Sequence, residues 1–375
     1  MTLDKIKEQF EKYSAAVYQS TQPQSEVKEH TMLLVSHTLE RGGAPLVLLE
    51  LIDYFKAYYN IIFVSIEDGD LRKEYMDKGL DVYIGNSVNY IPMEDELWDS
   101  FQLVFLNTII SYTYIPIFQN RKNVQVLWWL HEPEMLIRNT YGRIIHFGLM
   151  SSNIKVLSVT NETAACVRKY YNIDTPLLHM GLEDKYCGDV KREDDKIRFF
   201  MPAKFQGIKG QDIMAQAILS LPPVYLQKAE FIFAGAKDIL EPDYYELISK
   251  LAVAIPAVKM LGEVSKEEVY QWYEQVDCVI APSRADATPT TIVEGMMYRR
   301  LCACSQAAGI SRYMENGVNG FVFPAEDIDA LKETIMYIVD HYEELDDMRT
   351  AGRSIYLEHF ERGRVEQILT ELIEG

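Results

Sequence analysis

Two successive series of short apolar runs, each interleaved with stretches of helical periodicity, constrain this chain more than any other feature. The first series is Met32–Ser36, Ile61–Ser65, Asp81–Ile84, Leu103–Leu106, Val124–Leu130 and Lys155–Val159. The second is Ile197–Met201, Glu230–Ala234, Val258–Leu261, Cys278–Ala281, Leu301–Cys304 and Gly320–Phe323. Runs this short, apolar on both side-chain faces and separated by helices, are strands of a parallel sheet covered on both sides. The pattern predicts two doubly wound α/β domains. In such sheets ligands sit beyond the carboxyl ends of the strands, where Gly42, Gly43, Asn107 and His131 fall in the first series.

With 375 residues and 48% hydrophobic content, the chain can bury two cores of this kind. Its 37 basic and 56 acidic residues give a formal charge of -19, which argues against nonspecific binding to nucleic acid. Cys166, Cys187, Cys278, Cys302 and Cys304 are too scattered for a disulfide framework, and Cys302-Ala-Cys304 lacks the other ligands of a zinc site. The N-terminus has no signal-peptide core, so a cytoplasmic protein is expected. Leu3, Ile6, Phe10, Tyr13 and Val17 instead form the apolar face of an amphipathic helix. That face packs on the protein's own body or makes peripheral contact at the inner membrane surface. The uncharged stretch Phe101–Asn120 is broken by Asn107, Ser111 and Pro116 and reads as a strand and a helix rather than a membrane span. Polar segments Thr21–His30 and Asp189–Asp195 are linkers.

Chemistry concentrates in two places. Lys204-Phe-Gln-Gly-Ile-Lys209-Gly210 follows the first strand of the second series and sets two cations five positions apart beside glycines. Asp286-Ala-Thr-Pro-Thr-Thr-Ile-Val-Glu294 sets two carboxylates eight positions apart around a loop-to-helix junction. Cations and the amides of a helix N-terminus suit a diphosphate, and carboxylates suit sugar hydroxyls. Together they suggest a grip on a sugar nucleotide. An oxidoreductase would need a Gly-x-Gly-x-x-Gly turn after its first strand, which Arg41-Gly-Gly-Ala-Pro45 does not supply.

From Met32 to the C-terminus, the order of these motifs resembles glycosyltransferase family 4, the retaining GT-B enzymes. Arg41-Gly-Gly-Ala-Pro45 matches the family's glycine-rich first loop, and Trp128-Trp-Leu-His131-Glu its strand-end histidine. Lys204-x4-Lys209 matches its Arg-x4-Lys, Asp286-x7-Glu294 its Glu-x7-Glu, and Gly309–Val322 its small-residue tail. The resemblance implies two Rossmann-like domains facing each other across a cleft. Beyond the amphipathic helix and linker over 1–30, it implies an acceptor domain over 31–190 completed by a returning helix at 358–375, and a donor domain over 191–357. The apolar face of that last helix (Val365, Ile368, Leu369, Leu372) must pack against something.

The implied reaction is retaining transfer from a nucleotide-diphosphate sugar, most simply a UDP-sugar, to a glycan, a lipid-linked or a protein-linked acceptor, without a metal or other cofactor. Lys204, Lys209, Gly43 and the Thr290 and Thr291 amides would hold the diphosphate, Glu294 the ribose, and backbone near Gly262 the base. His131 and Asp286 would meet the transferring sugar. Loops Asn86–Met93 and Glu134–Tyr141 would select the acceptor. Three positions depart from the family pattern: Lys204 lacks the planar fork of Arg, Asp286 is one methylene short of Glu, and Pro289 removes an N–H. They leave open a catalytically silent GT-B subunit that binds glycan or supports a partner, and an epimerase acting on the sugar nucleotide is a separate alternative.

Overall fold

The computed structural model describes residues 1–374 apart from 24–25, 87–89, 120, 133, 145–150 and 191–193, and only the backbone of 141–144 and 252. The chain divides into two compact units, Met1–Gly181 with Arg362–Gly375, and Leu182–Glu361. Each is an α/β domain built on one sheet.

The first unit contains β1 (Ala16–Tyr18), β2 (His30–Ser36), β3 (Tyr59–Ser65), β4 (Val82–Ile84), β5 (Leu103–Asn107), β6 (Gln125–Leu130) and β7 (Ile154–Ser158), in the order β1-β4-β3-β2-β5-β6-β7. All pairings are parallel except the edge pair β1–β4. The second unit contains β8 (Ile197–Pro202), β9 (Ala229–Ala234), β10 (Val258–Gly262), β11 (Cys278–Ala281), β12 (Leu301–Ser305) and β13 (Phe321–Phe323), all parallel, in the order β10-β9-β8-β11-β12-β13. In both sheets the chain builds outward on one side, then returns to the other side of its central strand. The reversal lies between β2 and β5 in the first sheet and between β8 and β11 in the second. That is where a doubly wound sheet opens a crevice at its carboxyl edge.

Near-continuous burial along β2, β3, β5 and β6 reflects helices on both faces. At the N-terminus the helix is Leu3–Tyr13, shorter than its apolar spacing suggests, because Val17 belongs to β1. Ile6 and Phe10 are buried, and Phe10 packs against Tyr83, Trp98 and Phe101 at ring distances of 5.8–6.2 Å. The face considered for membrane contact is therefore part of the core. The helix expected over Leu46–Tyr58 is two, Gly43–Glu50 and Ile52–Tyr58, with a tightened turn at Leu51. After β5 the chain makes a 3-10 turn over Ile109–Tyr114 and a short helix Ile115–Phe118. Among the described residues, no helix is long and apolar enough to cross a membrane.

The unit boundaries differ from the sequence-based 190/191 and 357/358. Leu182 donates its amide to Phe360 O at 2.8 Å, Tyr356 Oη donates to Leu182 O at 2.8 Å, and Arg353 pairs with Asp184. These contacts tie 182–190 to the end of helix Asp346–His359, so both chain crossings lie at 181/182 and 361/362. Past the second crossing, helix Arg362–Glu374 buries Val365 and Leu369 in the first unit's core, with Ile368 and Leu372 partly covered. Gly181 meets it so closely that a Cβ there would lie 3.3 Å from Val365 Cβ.

Candidate active site

At the reversal point of the second sheet, the carboxyl ends of β8 and β11 open into a cavity of about 350 Å³. Lys204, Lys209, Asp286, Thr290 and Thr291, singled out in the sequence, all line it. The tertiary fold thus brings the two motifs together within one unit.

Lys204 follows β8 and pairs with Asp238 Oδ2 at 3.2 Å. Asp238 is 4% exposed. It accepts the Leu240 amide at 2.7 Å, and this bond, with Gln206 and Lys204, holds its carboxyl below the ordinary range. Lys209 ends a 3-10 turn, Gly207–Lys209, and its Nζ lies 2.6 Å from Asp286 Oδ2. The Asp286 backbone is fixed in turn: Gly309 donates to its carbonyl at 2.8 Å. Each cation therefore has a carboxylate partner that orients it toward the cavity.

Two glycines permit this arrangement. Gly210 has φ 79°, and a Cβ there would lie 2.1 Å from Pro282 O. Gly235, after β9, has φ 151°, and its Cβ would lie 2.0 Å from Ala203 O. In both places backbone passes against backbone, which only glycine allows. Gly210→Ala is expected to push the Lys209 turn away from β11 and lower the melting temperature. An unchanged melting temperature would show that the close approach is dispensable. Arg284 reinforces the same junction: it donates to both Asp212 oxygens at 2.9 and 2.8 Å, and its amide donates to Ile208 O at 2.8 Å. Neither Asp238 nor the Arg284–Asp212 pair carries a motif by which sequence reading would find it.

Helix Thr290–Met297 begins at the cavity after Pro289, whose φ of -61° suits the position before a helix. The Thr290 and Thr291 N–H groups precede the first intrahelical bonds, which run from Ile292 and Val293 to Pro289 O, so they offer positive charge to an anion there. Glu294 lies one turn further on and is 8% exposed. Its Oε2 accepts Tyr273 Oη at 2.8 Å, and burial pushes its carboxyl up. Neither Glu294 nor Gly262 is among the described residues lining the cavity. Gly262 ends β10 with φ 72° and accepts the Gly235 amide at 2.7 Å.

The first unit holds the remaining candidates. Gly43 opens helix Gly43–Glu50, and no atom lies within 4 Å of where a Cβ would be. His131 follows β6, beside the reversal point of its sheet. Its ring meets Trp129 at 4.2 Å, and its enclosed Nε2 has no hydrogen-bond partner among the described residues. Burial, with His37 nearby, pulls the imidazole down to about 3, so it is neutral at physiological pH. Glu134–Ile144 forms a helix, while 87–89 of the other acceptor loop lie outside the described residues.

A histidine that binds its proton more weakly folded than unfolded contributes stability that is complete above about pH 6.5. That stability is lost as pH falls toward about 3. His131→Asn should therefore lose less melting temperature than the parent between about pH 7 and pH 5 in calorimetry. Glu132, raised to about 7, acts in the opposite sense throughout that range but is common to both proteins. Parallel pH profiles would contradict a neutral His131.

Residues 184–355 match the family described as glycosyl transferases group 1, and residues 28–171 match glycosyl-transferase family 4. A search of curated proteins gives no sequence match. Among solved structures, HepE of Anabaena in complex with UDP and glucose aligns at TM-score 0.73 and 16% identity, covering 92% of this chain and 100% of its own. A glycosyltransferase of Rickettsia africae aligns at 0.75 and 16%, covering 92% and 98%. Sucrose-phosphate synthase of Thermosynechococcus elongatus aligns at 0.68 and 14%, also covering 92% and 98%. At these identities the structural likeness establishes the fold, GT-B.

Proposed function

This chain is a GT4-type glycosyltransferase with the GT-B fold, and from that premise we propose that it is a retaining transferase that takes its sugar from a UDP-sugar. The observation that carries the donor reading is the convergence of Lys204, Lys209 and the first turn of helix Thr290–Met297 on one cavity at the carboxyl edge of the second sheet. Structures of HepE hold UDP, UDP with glucose, or UDP-glucose, and UDP-glucose is accordingly the first donor to test.

Departure of the nucleoside diphosphate adds one negative charge, on its β-phosphate. Lys204, Lys209 and the Thr290 and Thr291 amides would stabilise that charge electrostatically, in fixed positions that need no rearrangement during reaction. This reading supplies the positive charge without a metal. Lys209 would exchange part of its contact with Asp286 for a phosphate oxygen, freeing an Asp286 oxygen to accept a sugar hydroxyl. A neutral His131 would donate or accept one hydrogen bond with the transferring sugar without adding charge. Glu294 enters the proposal as a support of the helix that carries Thr290 and Thr291, through Tyr273, rather than as a ribose ligand in this arrangement. The proposed acceptor is a glycan, free or lipid-linked.

Thermal shift with a panel of nucleoside diphosphates and their sugars tests the donor. A ligand that binds only the native state raises the melting temperature in proportion to ln(1 + [L]/Kd). UDP and UDP-glucose should stabilise the protein at millimolar concentration. The anomer released during slow hydrolysis of UDP-glucose, read by NMR before mutarotation, should be α. A β product would refute retention, and epimerised UDP-sugar with no release would support the epimerase instead.

A further inference from the structure

The carboxyl edge of the first sheet holds a buried carboxylate that the transfer reading above does not use. Glu132, 7% exposed, accepts the Ile109 amide on Oε1 at 2.8 Å and the His131 amide on Oε2 at 2.9 Å. It thus bridges the chain leaving β5 and the chain leaving β6. The peptide on the β5 side is strained: Thr108 has φ 74° and ψ 160°, a region that a β-branched residue rarely occupies. It is held there from several directions. Its amide donates to Trp129 O at 2.8 Å, its carbonyl accepts Trp128 Nε1 at 2.8 Å, and the amide of the following residue goes to Glu132.

Around this brace, four enclosed side-chain atoms have no hydrogen-bond partner among the described residues: His37 Nδ1, Asn107 Oδ1, Thr108 Oγ1 and His131 Nε2. They sit at the ends of β2 and β5, the strands flanking the reversal point, and of β6 beside them. Burying a carboxylate and leaving neighbouring polar atoms unpaired both cost stability. A carboxylate committed to two main-chain amides while nearby side chains stay unpaired favours one arrangement of those side chains over local satisfaction.

We propose that Glu132 is a positioning residue for sugar transfer: through the amides of Ile109 and His131 it fixes the strained Thr108 peptide and the His131 main chain, and so sets where the His131 ring meets substrate hydroxyls. The inference rests on the transferase reading of His131. Burial pushes the Glu132 carboxyl up to about 7, against the pull of the Ile109 and His131 amides and of its own. Of the titratable groups on the elements packed around it, His131 and His37 are lowered by burial and Glu134 and Lys169 form an exposed pair; the others are Tyr112, Tyr114, Arg138, Glu162, Cys166, Arg168, Tyr170 and Tyr171. Ionised, Glu132 accepts both amides fully. Protonated, one oxygen becomes a donor and the brace loosens. Turnover should accordingly rise with pH through about 7 while KM holds.

The test uses the full chain, labelled with 15N, together with turnover of UDP-glucose across the neutral range. The His131 and Ile109 amides are expected to share one titration midpoint near 7, with kcat following the same midpoint. Glu132→Gln should abolish that midpoint and lower kcat by about tenfold or more, leaving KM within about twofold. Absence of a shared amide midpoint overturns the proposal, as does a Glu132→Gln enzyme with parental kcat and pH profile. If the variant does not fold, the titration of the parent decides. If no UDP-sugar is turned over, the transferase reading fails separately, and the amide titration still decides the brace.

Discussion

Ending the chain after Glu361 is expected to lower the melting temperature of the first unit by about 10 °C or more. The deleted segment, Arg362–Gly375, belongs to that unit although it follows the whole of the second. Val365 and Leu369 are 0% exposed, and Ile368, Leu372 and Ile373 pack on the same cluster. Burial of two such side chains is worth roughly 3–6 kcal/mol, and about 1 kcal/mol moves the melting temperature of a domain of this size by about 2–4 °C. Polar contacts add to the loss: Tyr54 Oη lies 2.8 Å from Thr370 Oγ1, Lys155 Nζ donates to Leu372 O at 2.9 Å, and Arg362 pairs with Glu50. Calorimetry of the truncated chain checks the expectation. An unchanged transition would show that the helix contributes nothing to the first unit's core.

Lys209→Ala is expected to weaken UDP binding by roughly 10- to 150-fold, the range of a hydrogen bond to a charged group. The loss has two sources. One cation of the cavity disappears, and Asp286, which lies 2.6 Å from it, is left as an uncompensated carboxylate facing the same space. Lys204→Ala should cost less, because Lys204 is more exposed and its partner Asp238 keeps the Leu240 amide. His131→Ala should leave UDP affinity largely intact and lower turnover, since a group beside the reacting sugar matters mainly in the transition state. Calorimetric titration with UDP, alongside initial rates with UDP-glucose, separates the two roles. Equal loss of affinity in Lys209→Ala and His131→Ala would contradict the assignment.

Strand positions were legible because each run is apolar on both faces and bounded by helices, a pattern with few readings. What escaped was set by contacts rather than periodicity. Strand β1 is three residues long and gains its place only by pairing with β4. The unit boundaries moved because Leu182 and Asp184 bond to the end of helix Asp346–His359, a relation between residues far apart in sequence. In the site, charge and spacing pointed to Lys204, Lys209, Asp286, Thr290 and Thr291, which do meet in one cavity. Spacing alone could not show that Glu294 turns inward to Tyr273. Nor could it show that Asp238 orients Lys204, or that the Thr108 backbone is strained. Each of these depends on how the chain closes around a side chain, which single-sequence patterns do not encode.

The central claim is that the cavity at the ends of β8 and β11 is a binding site for a nucleoside diphosphate. Direct calorimetric titration of the full chain with UDP tests it without reference to acceptor, sugar or turnover. The account predicts saturable one-to-one binding that weakens with salt and is lost in the Lys204→Ala, Lys209→Ala double variant while that variant keeps its fold. Absence of heat and of thermal stabilisation at millimolar UDP, or binding that survives removal of both lysines, would contradict it.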